Sequence, residues 1–112
     1  MTSDQPAARF DELIHFPTRL RIMASLAAAT EVEFGAIEEA LGISTSLLSK
    51  QLTVLAEAGY LQREARRQPI GRPRTWLRLT GSGRRAYLGH VEALRELTAG
   101  VVTSDDPDRF SR

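Results

Sequence analysis

Between residues 44 and 53 the chain reads Ser-Thr-Ser-Leu-Leu-Ser-Lys-Gln-Leu-Thr. If this stretch is helical with Leu48, Leu52 and Leu55 turned inward, the 3.6-residue period puts Thr45, Ser46, Ser49, Lys50 and Thr53 on the opposite face. Gln51 falls toward the flank. Hydroxyls of this kind bond to anionic oxygens or to the polar edges of planar rings. Their short side chains let a helix backbone come close to a grooved partner. Lys50 and Gln51 add longer donors, and Ser44, just ahead of the first turn, is a good N-cap beside backbone amides able to meet an anion.

A second set of residues with chemical potential is cationic. Arg63, Arg66, Arg67, Arg72 and Arg74 fall within twelve positions. Counted from Ser44 to Ala86, nine cations stand against two anions, for a net +7. The remainder holds six cations and twelve anions, for a net −6, so the overall +1 conceals a basic middle. A dipole of this kind orients a protein on a polyanion. Fourteen of the fifteen cations are arginine, whose planar fork suits phosphate and guanine. Arg84 and Arg85 are secondary candidates, because cations near a helix N-terminus oppose its dipole and an external anion would relieve them.

Other chemistries lack residues. There is no cysteine, which removes thiolate metal sites, disulfides and thiol redox sensing. The two histidines, His15 and His90, are far apart in the chain; no metal and no cofactor are expected. Neither a glycine-rich phosphate loop nor a nucleophile with a nearby base is recognisable, and Glu38-Glu39 is one helix face, so no catalytic residue is assigned and an enzyme is not expected. No apolar run approaches the ~18 residues that span a bilayer, and no basic-then-apolar leader opens the chain. A cytoplasmic protein without a membrane partner is expected.

The elements that must position these residues can be read from periodicity and punctuation. At 112 residues, one domain is expected. Residues 1–8 read as a loose arm, 9–100 as the domain, and 101–112 as a polar tail. Phe10 to Phe16 reads as a short helix, and Pro17 starts a second that runs to about Ala28. Glu31 to Glu33 reads as a very short strand. Phe34 to Leu41 is helical and Gly42 ends it. Thr45 to Ala58 follows after a Gly-Ile-Ser turn, the helix-turn-helix pattern. Tyr60 to Arg67 and Thr75 to Thr80 read as strands around a loop whose Pro69, Gly71 and Pro73 exclude it from sheet interior. A turn over Thr80–Gly83 precedes a last helix from Arg84 to about Ala99, with Tyr87, Val91, Leu94 and Leu97 as one stripe and His90 and Val101 near it. The fold class is mainly α with a small β-hairpin wing: a winged helix-turn-helix flanked by N- and C-terminal helices.

Three groups of residues carry a family resemblance. They are Phe34–Ser44 (FGAIEEALGIS), then Leu48–Leu52 with Leu55–Leu61, then Gly71–Thr80 (GRPRTWLRLT) with Gly83–Ala86. Together with Leu13-Ile14-His15 and Arg19–Met23, they resemble bacterial and archaeal winged-helix regulators of the MarR and ArsR groups, and a compact MarR-like family above all, over about residues 10–98. The resemblance implies a dimeric, sequence-specific binder of double-stranded DNA. The helix of residues 45–58 would read the major groove, with Lys50 suited to guanine and Gln51 to adenine. The wing arginines would take the minor groove or the phosphates. Pairing with a second copy is expected through Phe10, Leu13, Ile14, Tyr87, Val91, Leu94 and Leu97. The cysteine-rich metal sites of ArsR proteins have no counterpart here. The chain is shorter than the larger MarR regulators, whose longer terminal helices build a ligand cleft, so a small-molecule pocket is not carried over and the effector is unknown. A winged helix that docks on proteins rather than on DNA is the alternative reading.

Overall fold

The computed structural model describes residues 6–99. The expectations for residues 1–5, for Val101 and for the tail lie outside the described residues. The order is α1 (Glu12–His15), α2 (Pro17–Ala27), β1 (Val32–Glu33), α3 (Phe34–Leu41), α4 (Thr45–Glu57), β2 (Leu61–Arg66), β3 (Arg74–Leu79) and α5 (Gly81–Ala99). The three strands form one antiparallel sheet in the order β1-β3-β2. The short strand therefore joins the hairpin, Val32 opposite Leu77 and Glu33 opposite Trp76. The core is Ile14, Ile22, Met23, Leu26, Ile37, Leu41, Leu48, Leu52, Leu55, Leu61 and Leu77, drawn from α1–α4 and from β2 and β3.

Local chemistry sets the ends of the two central helices. The Glu33 carboxylate accepts from the Gly35 amide at the start of α3. Gly42, at φ 64°, takes the left-handed conformation that closes it. Ser44 Oγ then accepts from the Leu47 amide at 3.1 Å and starts α4.

Three elements differ from expectation. The first helix is only Glu12–His15, because the Asp11 side chain accepts from the Ile14 amide and caps it, leaving Phe10 outside. The last helix starts at Gly81, not Arg84. Thr80 Oγ1 accepts from the Gly83 amide at 2.9 Å, so the glycines expected in a turn form its first turn. Gly83 is needed there: a Cβ would lie 1.9 Å from the Tyr60 carbonyl oxygen. Residues 6–10, whose first three positions were expected in a loose arm, run beside α5. The Arg9 amide donates to the Gly89 carbonyl at 2.9 Å, and a Cβ on Gly89 would lie 2.9 Å from the Ala7 carbonyl oxygen.

Candidate nucleic-acid interface

Burying Leu48, Leu52 and Leu55 of α4 leaves Thr45, Ser46, Ser49 and Lys50 exposed and Thr53 half-buried on its other side. Ser44 is exposed as the cap of that helix. The Thr45 hydroxyl donates to the Glu38 carboxylate, tying α4 to α3. The Thr53 hydroxyl donates to the Ser49 carbonyl at 3.0 Å and accepts from Arg63 Nη1 at 3.2 Å. Arg63 therefore bridges β2 to the polar face of α4. Ser46, Ser49 and Lys50 have no side-chain partner among the described residues.

Gln51 does not belong to this surface. It is 4% exposed, and its Oε1 accepts from Arg19 Nη1 at 2.8 Å. Arg19 also donates from Nε to the Leu13 carbonyl at 2.6 Å. The expectation that Gln51 reads adenine is thus corrected: one step around the helix from Lys50 turns the amide inward to join α2 to α4.

The strand register divides the arginines that the sequence groups together. Leu61, Arg63 and Ala65 of β2 stand opposite Leu79, Leu77 and Thr75. They share the face toward α4. Gln62, Glu64 and Arg66 lie on the outer face, opposite Arg78, Trp76 and Arg74, although Arg74, the first residue of β3, extends its side chain to Glu33 and the α3 side of the sheet. Arg66 is committed to the outer face. It makes a forked pair with Glu31, both contacts at 2.7 Å, reaches Glu64 at 2.8 Å, and lies 5.2 Å from the Trp76 ring centre. These hydrogen bonds, with Glu31 first, raise its pKa, and the same contact lowers that of Glu31. Arg66 is accordingly a strut between the wing and the turn before β1, and its expected place on a partner is corrected.

The remaining wing cations are freer. Arg67 and Arg72 are exposed, with no carboxylate within salt-bridge distance among the described residues. Gln68 Nε2 donates to the Arg72 carbonyl at 2.7 Å, which braces the loop, and Gly71 takes φ 92°. Arg74 is 55% exposed and makes one long contact with Glu33, 3.7 Å. A groove of about 540 Å³ runs between α3, α4 and this loop, with Ser49 on one wall and Arg72 and Arg74 on the other; Glu33 and Glu38 also line it. The hydroxyl-bearing helix and the arginine loop therefore border one concavity, although twenty-three positions separate Ser49 from Arg72 in the chain. Arg84 lies elsewhere: its Nη1 donates to the Ala27 carbonyl at 3.0 Å, closing the end of α2. That contact, like the earlier helix start, removes the dipole argument for an anion at Arg84.

The fold agrees with comparison to known proteins. The family model described as a winged helix DNA-binding domain matches residues 18–98. The chain belongs to this family. Its winged-helix domain is similar to the transcriptional regulator homologue protein from Pyrococcus horikoshii OT3, with TM-score 0.74 and 23% identity over 81% of this chain and 89% of that one. It is also similar to a MarR family transcriptional regulator from Silicibacter pomeroyi, with TM-score 0.62 and 25% identity over 89% of this chain; the match spans 65% of that protein. The transcriptional repressor BigR from Xylella fastidiosa aligns at 29% identity over 83% of each chain, with TM-score 0.54. No curated protein matches the chain. The resemblance to MarR-type winged-helix regulators thus holds for this domain.

The residues expected on a pairing surface separate in the same way as the arginines. Ile14 is wholly buried in the core, so its expected place in an interface is corrected. Leu13 and Tyr87 are half-buried against that core. Val91 and Leu94 are half-buried on α5, while Phe10 is 40% and Leu97 58% exposed. Phe16, 44% exposed under the Arg19 guanidinium, adds apolar surface that spacing did not single out. Among the described residues no helix is long and apolar enough to cross a membrane.

Proposed function

We propose that the chain is a sequence-specific double-stranded DNA-binding regulator of transcription that acts as a homodimer. One observation supports this reading above the others: Ser49 of α4 and Arg72 and Arg74 of the wing wall the same groove. A duplex seated there would receive the exposed face of α4 in its major groove. Ser46, Ser49 and Lys50 would meet base edges, and the Ser44 hydroxyl and the Thr45 backbone amide at the start of α4 the flanking phosphates. The side chain of Arg72, in the Gly-Arg-Pro stretch, would follow the adjacent minor groove, whose negative potential draws arginine. Arg67 and Arg74 would take phosphates. Arg63, held at Thr53, would join the helix and wing contacts.

Two-fold pairing would double these contacts and fix the spacing of half-sites. Phe10, Leu13, Tyr87, Val91, Leu94 and Leu97 are proposed to form the pairing surface. Selection of bound sequences from a random duplex pool tests the whole reading. An enriched palindrome is the expected result. Weak binding that is indifferent to sequence would instead favour the protein-docking alternative.

A further inference from the structure

The two histidines of the chain, seventy-five positions apart, are in contact. His15 Nδ1 lies 3.3 Å from His90 Nε2, and the Phe10 ring packs on both imidazoles at 4.8 Å between centres. His90 is wholly buried on α5. Its other nitrogen, Nδ1, receives the Asp11 backbone amide at 2.9 Å. The Asp11 side chain in turn caps α1 through the Ile14 amide and accepts from the Tyr60 hydroxyl at 2.5 Å. One chain of hydrogen bonds thus joins α5, the segment before α1, α1 itself and the residue that precedes β2.

These contacts fix every proton in the chain. A backbone amide can only donate, so His90 Nδ1 must be the bare acceptor. In the neutral ring the proton then sits on Nε2 and points to His15 Nδ1, which must also be bare. A second proton has no place on either ring. On His90 it would put an N–H against the Asp11 N–H. On His15 it would put an N–H against the His90 Nε2–H. The same logic excludes a metal ion between the rings, because His90 has no free lone pair at Nε2 while Asp11 holds Nδ1.

We propose that this histidine pair is a proton-operated clasp: both rings neutral hold the segment of residues 9–15 to α5, and one proton taken up by His90 opens it. Burial lowers the affinity of His90 for a proton, and the neighbouring His15 lowers it further, against an opposing pull from Asp11. From the other elements, Tyr60 is engaged with Asp11, Arg9 lies near that pair, and Arg19 of α2 is turned to Leu13 and Gln51. The β3 cations Arg74 and Arg78 face Glu33 and Gln62. On α5 itself, Glu92 faces Arg95. The sign follows from a pKa lower in the folded state than in the unfolded one. The clasp is complete above the ordinary histidine value of ~6.5 and is progressively lost as pH falls below it. Because the same segment carries Phe10 and Leu13, opening would loosen the proposed pairing surface; that consequence rests on the dimer reading, whereas the clasp does not.

The test uses the full chain, in which every imidazole signal belongs to one of these two residues. At pH 8, nitrogen-15 imidazole spectra should show both rings protonated at Nε2 and bare at Nδ1. Amide hydrogen exchange of residues 11–16, corrected for its intrinsic pH dependence, should lose protection by about tenfold per pH unit below ~6.5 for one proton taken up on opening. His90→Phe should remove that pH dependence. His15→Gln, at an exposed position, should weaken protection at pH 8 and leave the fold intact should His90→Phe fail to fold. Two rings titrating independently near 6.5 with unchanged exchange, or His90 protonated at Nδ1 at pH 8, would overturn the proposal.

Discussion

The surface shared by α4 and the wing differs from the clasp joining α1 to α5 in where its polar groups find partners. In the clasp, Asp11, Tyr60, His15 and His90 satisfy one another, and among the described residues no buried side-chain polar atom is left without a partner. On the surface, Ser46, Ser49, Lys50, Arg67 and Arg72 stand in solvent. Water satisfies such groups, so their exposure costs the monomer little, and they remain free for an external partner. A buried polar group has no such option and must be paired within the fold. A polar side chain therefore bears on stability or on recognition according to which of these two environments holds it, and chemical type alone does not decide it.

Substitutions can sharpen or break that contrast. The largest effect is expected at the joint between the regions. Gly83→Ala drives a methyl into the Tyr60 carbonyl. Backbone must move, and a drop of about 3 kcal/mol or more in urea unfolding is expected. Next, Leu94→Asp should yield monomers in sedimentation with little change in the circular dichroism of the domain; an intact dimer would place the interface elsewhere.

Gln51 and Lys50 are neighbours that should behave as opposites. Gln51→Ala leaves Arg19 without its amide partner and should cost about 1–3 kcal/mol of stability. Lys50→Ala with Ser49→Ala should change stability by less than about 0.5 kcal/mol. The same double substitution should reduce discrimination between selected and random duplexes by about 1–3 kcal/mol for each base-edge hydrogen-bonding pair that it removes. Equal weakening on both duplexes would take these residues out of base reading. The smallest effect separates two arginines. Arg72→Ala should reduce the salt slope of binding by about one phosphate's worth, while Arg66→Ala should leave it unchanged. A flattened slope for Arg66→Ala would mean that its carboxylate partners release it on DNA.

Much of the fold was legible from residue order. Phe34–Leu41 is the helix that its apolar spacing foretells, Gly42 closes it, and Ser44 caps α4. Where the fold departs from the periodicity, a capping side chain overrides it. Asp11 shortens the first helix, and Thr80 lengthens the last by capping a turn that holds two glycines.

The candidate site was legible in part. The leucines of α4 pointed to Ser46, Ser49 and Lys50, but a flank position such as Gln51 turns inward or outward according to what its neighbour offers, and Arg19 lies thirty-two positions away. The wing arginines could be counted, yet register assigned Arg66 to the outer face, where Glu31 and Glu64 hold it. Nothing in the spacing of His15 and His90 marked them as a pair.

Sequence alone determined the elements and the ends of the two central helices, because helix period, proline, glycine and capping side chains act over a few neighbouring residues. Only the tertiary structure decided which polar groups meet, because those partners come from elements dozens of positions apart. Packing of the leucine core, with its short connections, brings His15 to His90, Arg19 to Gln51 and Glu31 to Arg66.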